Sequence, residues 1–244
     1  MVWKKWEQLP ENMQTDAVKE YYSILASRRA ELILKRIFDF LAALVLLVLL
    51  FIPMVVIALL IAFDSPGGVF FRQERVTTYG RTFRIHKFRT MVKNADRIGS
   101  EITVSSDSRI TKIGAKLRKN RLDELPQLLD VLKGDMSFVG TRPEVPKYVG
   151  KYTDEMMATL LLPAGITSEA SIRFKGEAKL LKDVEDVDRI YVEEILPRKM
   201  VYNLESVRNF RFFGELLTMV RTILAVLGKD YADKTEESEK VEVI

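Results

Sequence analysis

Two adjacent acids, Asp123 and Glu124, are the residues of this sequence whose type and position best suit catalysis. They precede Pro126, which a helix accepts readily only in its first turn. The pattern predicts that a helix begins here and that both carboxylates lie at its N-terminus, where the free N–H groups favour an ionised carboxylate by roughly 0.3–1 kcal/mol. The residues alone leave two interpretations open, a catalytic pair or a helix cap that pairs with Arg118 or Lys119.

The composition narrows the chemistry that such a site could perform. The chain has 244 residues and no cysteine, which excludes disulfides, thiol nucleophiles and cysteine metal sites. His86 is the single histidine, which argues against sites with several histidine ligands and against most triads with an imidazole base. Catalysis must therefore use carboxylates, lysines, arginines and hydroxyl groups.

The charge of the chain points to anionic partners. The formal net charge is +4, and lipid headgroups, nucleotides and nucleic acid would all be compatible with it. One basic cluster lies just before the acids: Arg109, Lys112, Lys116, Arg118, Lys119 and Arg121. A nucleic-acid platform would have aromatic residues interleaved with these cations, and this cluster has none. The sequence therefore favours lipid and nucleotide partners and predicts no nucleic-acid binding.

The elements that must position the acids include a long apolar run. Residues Phe40 to Phe63 are uncharged and could form a helix of about 36 Å, enough to cross a bilayer core of about 30 Å. Pro53 predicts two half-helices, 40–52 and 54–63, that meet at a bend. Basic residues flank the run on both sides: Arg28, Arg29, Lys35 and Arg36 before it, and Arg72, Arg75 and Arg81 after it.

These flanks bear on how the run meets the membrane. Lysine and arginine beside a membrane segment favour the cytoplasmic side, so both ends favour the same side. The sequence thus predicts a re-entrant helix, broken at Pro53, that enters one leaflet and returns. A kinked helix that spans the bilayer is the alternative.

The remaining pattern predicts an α+β fold, mainly helical with a small β-hairpin. Strands are expected over 69–76 and 81–88, and helical apolar faces over 110–117 and 125–132, the latter ending at Gly134. A final apolar helix over 212–227 suits either the membrane interface or the protein core. Four parts are predicted: an amphipathic interfacial helix within 1–39, a re-entrant helix at 40–63, a cytosolic catalytic domain at 64–228 and a charged tail at 229–244.

Three strings near the acids carry a family resemblance. They are Lys87-Phe-Arg-Thr-Met91, Leu122-Asp-Glu-Leu-Pro-Gln-Leu128 and Leu132-Lys-Gly-Asp-Met-Ser-Phe-Val-Gly-Thr-Arg-Pro143. With Lys35-Arg-Ile-Phe-Asp39, Phe70-Phe-Arg-Gln73 and Arg109-Ile-Thr-Lys-Ile-Gly114, they resemble the bacterial sugar transferase family, the monotopic phosphoglycosyl transferases. The resemblance covers roughly residues 35 to 145.

This resemblance implies a reaction and a location. Such enzymes lie on the cytosolic face of the bacterial inner membrane. A broken re-entrant helix, surrounded by membrane lipid, anchors them there. They transfer a phosphosugar from a nucleotide sugar, here expected to be a UDP-sugar, to a polyprenyl phosphate and release nucleoside monophosphate. This is the first membrane step of glycoconjugate or exopolysaccharide assembly.

The resemblance also assigns roles to individual residues. Asp123 would be the nucleophile that forms a covalent phosphosugar intermediate, and Glu124 would hold Mg²⁺ on the diphosphate. Lys87, Arg118 and Arg142 match basic positions that are associated with phosphate binding. Electrostatics supports these roles. A negatively charged carboxylate can attack the phosphorus of a diphosphate only when cations neutralise the charge of the diphosphate.

The sequence departs from the family pattern at several points. Ile52-Pro53 replaces a common Ser-Pro, and Gly140-Thr-Arg-Pro143 replaces Gly-Pro-Arg-Pro. After Pro163 the resemblance thins, so it does not identify the sugar or the base, and it leaves a homodimer open. The rival hypothesis is a non-catalytic membrane scaffold that kept the fold.

Overall fold

The chain folds into helices around two small sheets. The computed structural model describes residues 3–93, 95, 107–176, 186–229 and 231. The α-helices in these ranges are α1 (Asp16–Ser27), α2 (Arg29–Asp64), α3 (Lys112–Lys119), α4 (Leu128–Lys133), α5 (Pro146–Val149), α6 (Glu169–Arg173), α7 (Val187–Ile190), α8 (Leu196–Arg208) and α9 (Phe212–Val226). The strands are β1 (Phe70–Val76), β2 (Thr82–Phe88), β3 (Met136–Val139) and β4 (Ala164–Thr167). Shorter helical turns are the 3-10 segments Trp6–Gln8, Glu11–Met13, Thr78–Gly80, Leu122–Gln127 and Met156–Leu161, and the π-helix Tyr191–Ile195.

The predicted hairpin is confirmed. Strands β1 and β2 pair antiparallel, with Phe70 opposite Phe88 and Val76 opposite Thr82. The free edge of β2 is covered by α4, because the His86 backbone N–H donates to Asp130 Oδ2 over 2.9 Å. This contact places the helical segment that contains the acids alongside β2.

The N-terminal region differs from the prediction of one interfacial helix within 1–39. Helix α1 ends at Ser27, and Arg28 leaves the helical conformation (φ −113°, ψ 28°). Helix α2 then runs through Asp39 into the apolar run without interruption. Asp39 thus lies inside α2, where its side chain is buried and its carboxylate accepts a hydrogen bond from Ser137 Oγ over 2.7 Å. The face of α1 that contains Tyr21 and Leu25 packs into the protein's own core.

Helix α2 carries the apolar run and differs in one respect from the prediction. It is a single helix with Pro53 in its interior, whereas the sequence predicts two half-helices. A proline removes only one donor from the helical ladder, so the turns on both sides of it stay helical. Within the described residues α2 is the one helix that is long and apolar enough to cross a membrane, with a mean hydropathy of 3.4 and 6% of that stretch buried.

The N-terminal part of α2 is anchored to β3. Lys35 Nζ donates to the Val139 carbonyl over 2.9 Å, and Asp39 binds Ser137 as described above. The Lys35 ammonium also pairs with Glu215 of α9. These buried ionic contacts fix the start of the apolar run against the sheet.

The C-terminal end of α2 is anchored to the same body of protein. Arg89, which follows β2, donates to the carbonyls of Ser65 and Pro66 over 2.6 and 3.0 Å. The Asp64 carboxylate accepts a hydrogen bond from the Ile113 N–H over 3.2 Å. Both ends of α2 therefore contact the domain that holds the predicted site.

The sequence did not predict the second sheet. Strands β3 and β4 are parallel, with Met136 opposite Ala164 and Val139 opposite Thr167. All four β3 residues are buried, so the segment lacks the alternation that reveals a half-buried strand. Gly165 of β4 packs so close to the residue that follows β3 that a Cβ on Gly165 would lie 2.2 Å from the backbone of Gly140.

Helix α9 presents an apolar face to its surroundings. Phe212, Thr218 and Ala225 are buried against the protein, whereas Phe213 and Leu227 are each 77% exposed. Further exposed apolar residues follow the same face: Leu217, Val220, Ile223 and Leu224. Of the two predicted settings for this helix, the exposed face favours the membrane interface.

Candidate active site

The acids lie in the first turn of a helical segment, as the sequence predicts, and this turn is the 3-10 helix Leu122–Gln127. Pro126 has no N–H to donate to the Leu122 carbonyl, so the α-helix begins only at Leu128. Arg121, just before this turn, has left-handed backbone dihedrals (φ 57°, ψ 18°). Such a conformation is sparsely populated by residues other than glycine and often accompanies functional sites.

Two of the predicted cations contact Glu124 directly. Lys87 Nζ lies 3.0 Å from Glu124 Oε1, and Arg142 Nη2 donates to the same oxygen over 2.6 Å. Lys87 comes from β2, and Arg142 comes from the loop that follows β3. The structure therefore brings three residues from distant parts of the sequence into one ionic cluster.

Close backbone packing places the third cation, Arg118. Its helix, α3, lies against the segment after β2, because a Cβ on Gly114 would be 2.1 Å from the Thr90 carbonyl oxygen. Burial lowers the pKa of Arg118, while the nearby carboxylates of Asp123 and Asp107 raise it. Arg118 thus acts on Asp123 through its charge, without a direct hydrogen bond between them among the described residues.

The two acids lie in different electrostatic environments. Burial raises the pKa of Asp123, and the charge of Glu124 raises it further, against the lowering effect of the three cations. Burial also opposes ionisation of Glu124, but Arg142 and Lys87 hold its pKa well below the usual range. The expectation that the helix terminus keeps Asp123 readily ionised is thus incomplete, because burial has the larger effect on this carboxyl group.

Burial also affects the lysine of the cluster. It lowers the pKa of Lys87 to about 8, although the Glu124 carboxylate favours the charged ammonium. Asp123 is 9% exposed, and no side chain among the described residues hydrogen-bonds to its carboxylate. A carboxylate without a partner, surrounded by cations, can attack an electrophile whose negative charge those cations neutralise.

The acids also bear on metal binding. Among the described residues there is no group of three or more histidine, cysteine, aspartate or glutamate side chains that could hold a metal ion. Mg²⁺, however, is commonly held by one or two carboxylates together with substrate phosphates and water. Glu124, next to Asp123, has a carboxylate of the type that such an ion uses as a ligand.

Sequence reasoning missed several residues around the cluster. Arg75 of β1 donates to the Pro143 carbonyl over 3.1 Å and so ties the hairpin to the segment with Arg142. Asp130 lies 2.5 Å from His86 Nδ1, and it follows Glu124 and Gln127 at intervals of three residues. Glu124, Gln127 and Asp130 thus form a polar stripe on an otherwise apolar helical segment. This stripe was the feature of the sequence that could have pointed to Asp130.

Comparison with known proteins identifies the family. The model of the bacterial sugar transferase family matches residues 30–229. A UDP-N-acetylgalactosamine-undecaprenyl-phosphate N-acetylgalactosaminephosphotransferase of Aeromonas hydrophila is 36% identical over 197 residues, which are 80% of this chain and 44% of that protein. A sugar transferase of Bacillus subtilis is 36% identical over 204 residues, 84% of this chain and 92% of that protein.

A third relative is a UDP-glucose:undecaprenyl-phosphate glucose-1-phosphate transferase of Caulobacter vibrioides. It is 34% identical over 203 residues, 81% of this chain and 71% of that protein. The chain thus spans less than half of the Aeromonas relative and most of the other two. The family match and the extent of these similarities show that the chain is an enzyme of the bacterial sugar transferase family.

Proposed function

We propose that this enzyme transfers a phosphosugar from a UDP-sugar to a polyprenyl phosphate through a covalent intermediate on Asp123. The observation that carries the proposal is the buried Asp123 carboxylate, which has no hydrogen-bond partner among the described side chains and lies beside a cluster of cations. The names of the Aeromonas and Caulobacter relatives support the substrates, since both act on undecaprenyl phosphate and a UDP-sugar. The reaction would serve exopolysaccharide or glycoconjugate assembly.

The first step is an in-line displacement at the β-phosphorus of the donor. A bond forms between an Asp123 Oδ atom and phosphorus, while the bond from phosphorus to the bridging oxygen breaks. Uridine monophosphate leaves with that bonding electron pair. In the second step a phosphate oxygen of the polyprenyl phosphate attacks the same phosphorus, and the Asp123 carboxylate leaves, which yields a polyprenyl diphosphosugar.

The cations of the site lower the barrier to both steps. Lys87, Arg118 and Arg142 would bind the non-bridging oxygens of the diphosphate, whose charge would otherwise repel the approaching carboxylate. Two of these cations contact Glu124 in the structure. Binding of the donor would therefore redistribute their hydrogen bonds from Glu124 to phosphate.

Glu124 is the residue that we assign to Mg²⁺. When bound, the ion would neutralise charge on the diphosphate and on the leaving phosphate. The low pKa of Glu124 keeps its carboxylate ionised and available as an oxygen ligand.

The membrane elements would bring the lipid substrate to this site. The two anchors of α2 on one domain support a re-entrant helix, because a straight span would carry one end to the other side of the bilayer. The exposed apolar face of α9 would rest in the same leaflet. We infer that the domain lies on the cytosolic face of the inner membrane, where the soluble UDP-sugar and the membrane-held phosphate both reach Asp123.

A single-turnover experiment tests the proposal. The purified protein is incubated with Mg²⁺ and a panel of UDP-sugars, without polyprenyl phosphate. The expected result is uridine monophosphate at up to one equivalent and a mass increase of one phosphosugar on the peptide that contains Asp123. Release that strictly requires both substrates, with no adduct, would exclude the covalent intermediate, and no release with any donor would favour a scaffold.

A further inference from the structure

Gln127 is a buried amide with unsatisfied hydrogen-bonding groups. It is 1% exposed, and neither its Nε2 nor its Oε1 has a hydrogen-bond partner among the described residues. A buried polar group without a partner destabilises a fold, and native structures contain few of them. Such a group needs an explanation, and its position next to the acids offers one.

The local geometry places Gln127 beside Glu124. Both lie in the 3-10 helix Leu122–Gln127, and side chains three residues apart in a 3-10 helix eclipse one another. On the other side, Asp130 binds the His86 backbone of β2, while Glu124 binds Lys87 of the same strand. Gln127 therefore lies between two contacts that hold this helical segment against β2.

The contacts of Glu124 indicate when the amide would be used. In the structure its carboxylate already accepts hydrogen bonds from Lys87 and Arg142, so it does not need Gln127. The proposed function transfers these cations to the diphosphate of the donor. When the donor binds, the Glu124 carboxylate would therefore lose both of its hydrogen-bond donors. This is the state in which Glu124 is proposed to be a ligand of Mg²⁺ and must be correctly oriented.

We propose that Gln127 is a positioning residue, whose Nε2 donates a hydrogen bond to the Glu124 carboxylate in the donor-bound enzyme. This inference rests on the proposed function, since it requires that the cations leave Glu124 for a phosphorylated substrate. It explains why a fold would keep an amide that has no partner in the free enzyme. The amide lowers the stability of the free state and is satisfied only in the loaded state.

The inference predicts an unusual pair of effects for Gln127→Met. Methionine has a similar volume and no hydrogen-bonding amide, so it removes the unsatisfied groups without a cavity. In the full-length protein purified in detergent, Tm should rise by about 2–4 °C. With donor and polyprenyl phosphate, kcat should fall about tenfold at an unchanged KM for the donor.

Two further variants make the comparison specific. Gln127→Leu also removes both hydrogen-bonding groups of the amide, so kcat should fall as far as in the methionine variant. Asn203 of α8 also has a buried oxygen without a partner, and it lies outside the ionic cluster. Asn203→Leu should leave kcat unchanged, which separates the loss of a buried amide in general from the loss of this one.

The outcomes that overturn the inference are distinct. An unchanged kcat in both Gln127 variants would mean that the amide has no role, and a parallel fall of Tm and kcat would make it structural. A higher KM with unchanged kcat would place Gln127 in substrate binding. If the wild type released no monophosphate from any UDP-sugar, the proposed function would fail and this inference with it, whereas failure of the variants alone leaves that function intact.

Discussion

Asp123 and Glu124 are neighbours in one helical turn, yet the protein shifts their pKa values in opposite directions. Burial and the adjacent carboxylate raise the pKa of Asp123, whereas Arg142 and Lys87 overcome burial and lower that of Glu124. The difference follows from geometry, since Lys87 and Arg142 both hydrogen-bond to Glu124. The pair thus consists of one firmly ionised carboxylate and one more basic carboxylate, which suits a ligand for cations beside a nucleophile.

Asp123→Asn tests the nucleophile. The amide cannot form the acyl phosphate, so turnover should fall at least about 1000-fold. Tm should stay the same or rise, because the change removes a buried carboxyl group whose ionisation is unfavourable. Turnover is measured by release of uridine monophosphate and stability by thermal unfolding.

A matched control for that variant is Asp135→Asn. Asp135 accepts a hydrogen bond from the half-exposed Arg81 over 2.7 Å, away from the cluster, and exposed ion pairs contribute little to stability. Its replacement should leave turnover intact. Substantial turnover in the Asp123 variant would assign the nucleophile to another group.

Arg118→Ala tests a cation for which we propose a role in phosphate binding and which makes no hydrogen bond to either acid among the described residues. Turnover should fall about 100-fold, because the guanidinium would no longer stabilise the transferring phosphoryl group. Lys116→Ala on the same helix is the control, since its side chain is exposed, and it should retain activity. If Tm of the Arg118 variant dropped as sharply as its turnover, Arg118 would be a structural residue.

The sequence predicted well where local rules decide the structure. The β1–β2 hairpin followed from two runs of β-forming residues, and α4 ends before Gly134, whose φ of 84° suits glycine. The motif residues Lys87, Glu124 and Arg142 lie together in one ionic cluster. Their roles in catalysis remain a prediction that the experiments above examine.

The sequence failed where tertiary contacts override local preference. The helix break at Arg28 has no proline or glycine to signal it. Strand β3 has only four residues, all of them buried, so it lacks the alternation of exposed and buried residues that reveals a strand. The raised pKa of Asp123 results mainly from its burial in the folded protein. The orphaned amide of Gln127 likewise depends on what surrounds it in the fold, which no spacing rule reveals.

Glu215 should make stability depend on pH. Burial raises its pKa to about 7, although the Lys35 ammonium opposes the shift. Between pH of about 4.5 and about 7, Glu215 holds a proton in the native state that the unfolded chain has lost. The free energy of unfolding should therefore fall as the pH rises through this range, and it should level off above it. Tm of wild type is compared with that of Glu215→Gln at several pH values.

The glutamine variant cannot titrate, so its Tm should show a smaller decrease across the same pH range. Glu205→Gln is the control, because the carboxylate lies on an exposed part of α8. Identical pH profiles for wild type and Glu215→Gln would contradict the assignment. In that case the Lys35 ion pair, and not burial, would dominate the behaviour of Glu215.

The topology of α2 can be tested with cysteine labelling, because the chain contains no native cysteine. Lys5 and Lys229 lie before and after the membrane elements, and both are exposed. If α2 is re-entrant, both Lys5→Cys and Lys229→Cys lie on the cytosolic side. An impermeant thiol reagent should then label either site only after the membrane has been permeabilised, so that the reagent reaches the cytosol. Labelling of one site in intact cells and of the other only after opening would show a spanning helix. Pro53→Leu should shift the protein toward that spanning form, because it restores the missing donor and removes the clash that favours a bend.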